Sequence, residues 1–335
     1  MKPYIIAELS ANHCQSLDVA HALVEAAAEA GANAIKLQTF NPESMVLDTA
    51  YRLTAGPWKG KLLIDLYREA HTPWEWHQPL FDYARKLKLE AFSTVYDREG
   101  VDFLESIGCP KYKISSFEVP DLDLIRYVAS KGKPMIVSTG MASFAEIQNI
   151  MQIVGHQAKV TLMKCTSAYP AEPSDANLET IRDMAQHFFQ CGLHCDIGLS
   201  DHTLGSAVAC VAVALGASVF EKHLKLDDSF PSPDSRFSTI PAEFKEYVRD
   251  INDAWLAVGA VHYGPTESEM PSFSLRRSLY FTHDLEVGTV LTAAHFRTVR
   301  PAEGIAPDRW QILIGKRLTT SVRAGQPISW GLIRE

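Results

Sequence analysis

Short apolar runs ending in polar residues recur along this chain, and a stretch of helical periodicity follows each. Tyr4–Leu9 is the first run. Leu17–Ala30 then repeats apolar residues every three or four positions and closes at Gly31, a good C-cap. Asn33–Gln38 is the second run, and a long loop, 41–61, separates it from helical patterns over Leu62–Ala70 and Pro73–Leu87. The alternation then becomes regular. Strand patterns at Leu89–Thr94, Tyr112–Ser115, Pro134–Thr139, Lys159–Cys165, Asp196–Ser200 and Ser218–His223 each precede a helical one, the last ending at Val258. Eight strand–helix units over about 260 residues predict an α/β fold of the (β/α)8 barrel type. A doubly wound open sheet is the competing architecture, but it is ordinarily shorter and often carries a Gly-rich first turn, which is missing here.

After Trp255 the pattern changes. A barrel domain over 1–262 is expected to give way to a polar, Pro-containing linker over 263–274. From 275 to 335, short strands alternate with Gly turns, as in Val287-Gly-Thr and Arg323-Ala-Gly-Gln-Pro. A unit of that size sits near the lower limit for independent folding, so it is expected to be stabilised by docking onto something larger.

Composition narrows the field further. The 335 residues are 46% hydrophobic and 21% charged, ordinary for a globular protein. The net charge of −8 comes without a basic block, which argues against nucleic acid as a main partner. No apolar run is long enough to span a bilayer and no secretory leader precedes Tyr4, so a cytoplasmic protein with no membrane partner is expected. The six cysteines are scattered and form no CxxC pair, which predicts reduced thiols and no structural zinc.

Barrel enzymes place their chemistry at the C-terminal ends of the strands. There, Gly198-Leu-Ser-Asp-His-Thr203 and Val219-Phe-Glu-Lys-His223 deliver His202 and His223 from successive strands. Imidazoles converging above neighbouring strands suit a first-row divalent metal and leave positions open for substrate. Two neutral histidines hydrogen-bonded at strand ends are the alternative. Lys36, Lys113 and Lys164 share the expected rim with the hydroxyls of Thr94, Ser116, Ser138 and Ser200, a set that fits a phosphate or carboxylate. Glu118 stands just beyond the fourth strand. Glu8 reads equally as a structural partner for a lysine and as an acid/base group tuned by its neighbours. Trp58, Trp74 and Trp76 could wall a sugar pocket or pack in a core.

Several of these stretches resemble a known family in order and spacing. Ile6-Ala-Glu-Leu-Ser-Ala-Asn-His13, Lys36-Leu-Gln-Thr39, Tyr112-Lys-Ile-Ser-Ser-Phe-Glu118, Ser138-Thr-Gly-Met141, Gly198–Thr203 and Glu221-Lys-His223 are similar to the sialic acid synthases. The tail, with Arg276-Arg-Ser-Leu-Tyr280 and Arg300-Pro-Ala-Glu-Gly-Ile305, resembles that family's antifreeze-like (SAF) domain. Within the family, Ser10–His13, Ala70–His77 and Asp234-Ser-Arg-Phe-Ser238 look most like pseudaminic acid synthases.

The resemblance implies condensation of phosphoenolpyruvate with the aldehyde of a diacetamido-trideoxy-altrose, releasing phosphate and a nine-carbon 2-keto acid. It implies a divalent metal, Mn2+ or Mg2+, on His202 and His223, with Glu8 handling charge and protons at the reacting carbon. Lys36, Thr94, Lys113, Ser116, Ser138, Ser167 and Ser200 match phosphoenolpyruvate-binding positions, with Gln38 beside them. Tyr169 and Asp234 match sugar-side positions, and Glu118 is counted among the substrate-binding residues. Arg300 matches an arginine that reaches a partner's active site in a domain-swapped homodimer. Open alternatives are a legionaminate or N-acetylneuraminate synthase, a metal-dependent barrel aldolase or isomerase, and a non-enzymatic carbohydrate- or ice-binding protein.

Overall fold

The computed structural model describes residues 1–155, 157–193, 195–229 and 231–335. The chain divides into two compact units, Met1–Gly259 and Ala260–Glu335. In the first, the strands β1 (Tyr4–Glu8), β2 (Ala34–Thr39), β3 (Glu90–Val95), β4 (Tyr112–Ile114), β5 (Met135–Ser138), β6 (Val160–Cys165), β7 (Asp196–Asp201) and β8 (Val219–His223) close into a barrel in sequence order. Every pairing is parallel, including β1 with β8, so the expected (β/α)8 architecture is present and the open sheet is excluded.

Each strand is buried on both faces, which is why it reads as a near-continuous apolar run. The surrounding helices begin where local chemistry favours it. Ser16 caps Leu17–Ala30, Asp97 caps Arg98–Ser106 through Gly100 N at 2.8 Å, and Ser143 with Glu146 forms a capping box on Phe144–Val154. Leu23, Val24 and Ala27 of the first helix and Phe244, Tyr247 and Ile251 of helix Pro241–Val258 bury their apolar faces in the core around the barrel. Gly198 is required by close approach: a Cβ there would lie 2.4 Å from the carbonyl oxygen of Val219, so β7 and β8 could not pair as they do.

The second unit has its own small core around Leu279, Phe281, Leu291 and Phe296. Its antiparallel strands Ser278–Phe281 and Phe296–Val299 pair with Phe296 opposite Phe281. Residues 260–277 are exposed and include the short helix Met270–Phe273. Among the described residues, no helix is long and apolar enough to cross a membrane.

Candidate active site

Strand register brings the candidate residues together. Glu8 pairs with Lys36 on one side and with His223 on the other, so these side chains form one row across three strands. Two residues further along β2, Gln38 pairs with Thr94 and Thr94 with Lys113; two residues back along β8, Glu221 pairs with Ser200. Neighbouring parallel strands lie about 4.8 Å apart, so groups in one row interact directly.

Above the strand ends lies a pocket of about 280 Å3. Glu8, Lys36, Gln38, Thr94, Lys113 and Ser116 line it, and so do Glu118, Ser138, Tyr169, Ser200, His202, His223 and Asp234. Ser167 is not among the residues that line the pocket; its Oγ lies beside Gly140, 2.3 Å from where a Cβ would stand, next to the lining residue Ser116. Arg300 lies in the second unit, exposed after strand Phe296–Val299. Lys164 departs from the expectation of three lysines in one site. It sits on the opposite face of β6 from the pocket-lining Cys165, and its Nζ donates to the Cys165 carbonyl.

The floor is dense in charge. Lys36 Nζ lies 2.5 Å from Glu8 and 3.9 Å from Glu221, and donates to Thr94 Oγ1 at 2.8 Å. Lys113 is 3.5 Å from Glu221, which also accepts from Ser200 Oγ. Gln38 donates to Glu8 and to Ser10, and Ser10 donates to Asp234. Burial pushes the Glu8 carboxyl up to about 7, with Lys36 opposing and the Glu221 charge adding to the shift. Burial alone would lower Lys36, but Glu221 and Glu8 outweigh it and hold its pKa above the usual lysine range. Lys113 is lowered, because burial prevails there over Glu221.

The two imidazoles are 5.4 Å apart between ring centroids. His202 Nδ1 lies 2.9 Å from the Thr166 carbonyl, which orients the ring and leaves Nε2 free. Burial, His202 and the nearby lysines hold His223 well below the usual histidine range, and so neutral; its Nδ1 is buried without a partner. Neutral imidazole is the ligand form, and an orphaned buried nitrogen has an unmet need for a cation or donor. His223 therefore offers a neutral nitrogen to a divalent metal. Burial would lower His202 as well, but Cys165 and the Thr166 carbonyl hold its pKa above the usual histidine range, so a metal bound there would displace a proton. Among the described residues there is no cluster of three or more His, Cys, Asp or Glu that could hold a metal ion.

The three tryptophans separate. Trp58 lines the pocket, whereas Trp74 stacks on Phe103 and Trp76 packs edge-on to His13. Glu221, placed at the end of the last strand without a role, bridges both lysines. Cys165 escaped the sequence reading and lies 3.8 Å from His202 Nδ1; two-residue periodicity could have found it, since it ends its strand facing inward.

Residues 23–263 match the NeuB family and residues 276–334 match the SAF domain. The pseudaminic acid synthase of Helicobacter pylori is 39% identical over 98% of this chain and 96% of its own length. The N,N'-diacetyllegionaminic acid synthase of Legionella pneumophila is 35% identical over 98% of this chain and 94% of its own. The structure of N-acetylneuraminic acid synthetase from Leptospira borgpetersenii in complex with citrate is similar at a TM-score of 0.72 and 28% identity. It covers 81% of this chain, and the match spans 90% of that chain.

Proposed function

The chain belongs to the NeuB family, and from that premise we propose that it condenses phosphoenolpyruvate with a diacetamido-trideoxy-altrose, releasing phosphate and forming a nine-carbon 2-keto sugar acid. The observation that carries this reading is one pocket in which two buried lysines and two imidazoles surround Glu8. Lys36 and Lys113 face the carboxylate and phosphate of phosphoenolpyruvate, and Thr94, Ser116, Ser138, Ser167 and Ser200 supply directed hydrogen bonds. Gln38 stands beside these groups, Glu118 contributes to substrate binding, and Tyr169 and Asp234 hold the sugar with its aldehyde toward His202 and His223.

Carbon 3 of phosphoenolpyruvate attacks the aldehyde carbon, and the aldehyde oxygen takes a proton from solvent to become a hydroxyl. Positive charge develops at carbon 2. Glu8 in its carboxylate form stabilises that charge, takes one proton of the water that adds there and returns it to solvent. The carbon–oxygen bond to phosphate then breaks as the new carbon 2 hydroxyl gives its remaining proton to the departing phosphate, leaving the ketone. A divalent cation, Mn2+ or Mg2+, held by His202 and His223, supplies Lewis acidity toward the aldehyde oxygen when bound. In a cytoplasmic, domain-swapped homodimer, Arg300 of one subunit completes the other's pocket.

The test is phosphate release with phosphoenolpyruvate and the amino sugar together, with the product identified by mass. Equimolar phosphate and 2-keto acid are expected, and chelation should stop the reaction until Mn2+ or Mg2+ is restored. Phosphate release that ignores the sugar would overturn the condensation. Undiminished turnover after the metal is stripped would overturn the metal's role.

A further inference from the structure

The pocket's two sides differ in kind. Its charged groups all come from strand ends and the loops that directly follow them. The segment between β2 and β3 contributes Leu53, Trp58, Leu63, Leu66, Tyr67 and Ala70, none of them charged. Leu53, Trp58 and Leu63 are half-buried and belong to neither hydrophobic core of the described residues, while Leu66 is buried, so part of this apolar surface faces the pocket.

The segment is nevertheless built in place. Arg52 bridges Leu62, Leu53 N donates to the Lys61 carbonyl at 3.0 Å and Gly60 N to the Leu53 carbonyl at 2.8 Å, which makes a short hairpin. Trp58 at its tip donates its indole N–H to the Pro233 carbonyl at 2.8 Å, in the loop that follows β8. That bond consumes the tryptophan's polar atom and leaves its ring for contact. The rings form a ladder away from the imidazole pair, with His202 to Tyr169 at 4.4 Å and Tyr169 to Trp58 at 5.7 Å between centroids.

A sugar whose aldehyde sits at the imidazoles, beside an acid held by the lysines, must run its chain outward along this ladder. We propose that the wall of Leu53, Trp58, Leu63 and Leu66 is the acceptor's specificity element: it receives the end remote from the aldehyde and selects a methyl group at carbon 6 over a hydroxymethyl group. The inference rests on the condensation reading above. A hydroxyl pressed against this wall gives up its water without gaining a partner, whereas a methyl gains burial.

The experiment compares two diacetamido aldoses of the same configuration, one 6-deoxy and one 6-hydroxy, by phosphate release in the presence of phosphoenolpyruvate. The intact enzyme should favour the 6-deoxy sugar by roughly 10- to 100-fold in kcat/KM, the range available to an apolar pocket. Leu63→Asn, nearly isosteric, should lower that ratio at least about tenfold by removing the apolar contact. If it fails to fold, Leu53→Asn on the half-buried hairpin carries the same expectation. Equal kcat/KM for the two sugars, or a ratio that survives the folded variant, overturns this inference alone. No phosphate from either sugar overturns the condensation reading and this inference with it.

Discussion

Strands β7 and β8 carry buried charge on both of their faces, and the two faces solve the problem differently. On the outer face, Lys222 is fully buried and donates to Asp201 at 2.9 Å and to the Thr203 carbonyl at 2.6 Å, with its ammonium 4.8 Å from the Tyr247 ring. Asp201 in turn accepts from the backbone and hydroxyl of Thr203. On the inner face, Ser200, His202, Glu221 and His223 line the pocket, and Glu221 Oε2 and His223 Nδ1 have no hydrogen-bond partner, as is also true of Ser138 Oγ on β5. In the outer cluster the Lys222–Asp201 pair is fully hydrogen-bonded and reads as a clamp between strands, although the buried Tyr247 hydroxyl beside it has no partner. In the inner cluster the unpartnered atoms belong to residues that line the pocket, and unmet valence turned toward a pocket is what distinguishes a site from a structural ion pair.

The sharpest way to break the comparison is to unpair the clamp. Lys222→Met leaves Asp201 buried without its cation and should lower the stability of the barrel by about 3–5 kcal/mol in urea unfolding. Adding Asp201→Leu should return most of that loss, because a buried pair replaced by apolar residues of similar volume is often neutral. A single variant within about 1 kcal/mol of the parent, the scale of an ordinary substitution, would mean that the pair is not the clamp described.

A second test uses pH on the inner face. Burial pushes the Glu8 pKa from its ordinary 4.5 to about 7. Between those values the native state keeps a proton that the unfolded chain releases. The contribution of Glu8 to stability is therefore full below about pH 4.5 and is lost as pH rises through about 7. Glu221 has the opposite sign: burial opposes, but Lys113 and Lys36 hold its pKa down. Its contribution is lost only as pH falls below the usual carboxylate range, outside that window. His13 and His77, lowered to about 4 by burial, contribute with the opposite sign in the same window, so the expectation concerns the difference: from pH 4.5 to 7 the thermal midpoint of Glu8→Gln should rise relative to that of the parent, and identical slopes would remove Glu8 as the titrating group.

Much of this was legible in the residues. Parallel strands buried on both faces must be apolar runs, so the barrel could be counted directly. Polar residues that end such runs had to meet at one rim, which brought Glu8, Lys36, Lys113, His202 and His223 together. Lys164 was misplaced because proximity to a strand end was weighed above alternation, which puts it on the face opposite Cys165. Trp58 could not be separated from Trp74 and Trp76, because its position depends on Pro233, 175 residues away in sequence. No local pattern encodes a contact of that kind. Arg300 lies in a different compact unit from the pocket, so its role stays with the proposal.

The finest test of the comparison is a pair of serines. Ser138 Oγ is buried with no partner, whereas Ser200 Oγ donates to Glu221 at 3.1 Å. If unmet valence is reserved for the substrate, Ser138→Ala removes nothing the fold uses and should leave stability within about 0.5 kcal/mol of the parent. Ser200→Ala instead removes a hydrogen bond to a buried carboxylate and should cost about 1.5–3 kcal/mol of stability. In catalysis, Ser138→Ala loses one hydrogen bond to an anionic substrate, also worth about 1.5–3 kcal/mol, or roughly a 10- to 100-fold fall in kcat/KM for phosphoenolpyruvate. Equal destabilisation by the two substitutions, with kcat/KM untouched in Ser138→Ala, would show that both hydroxyls serve the fold and that unpartnered groups turned toward the pocket do not locate the site.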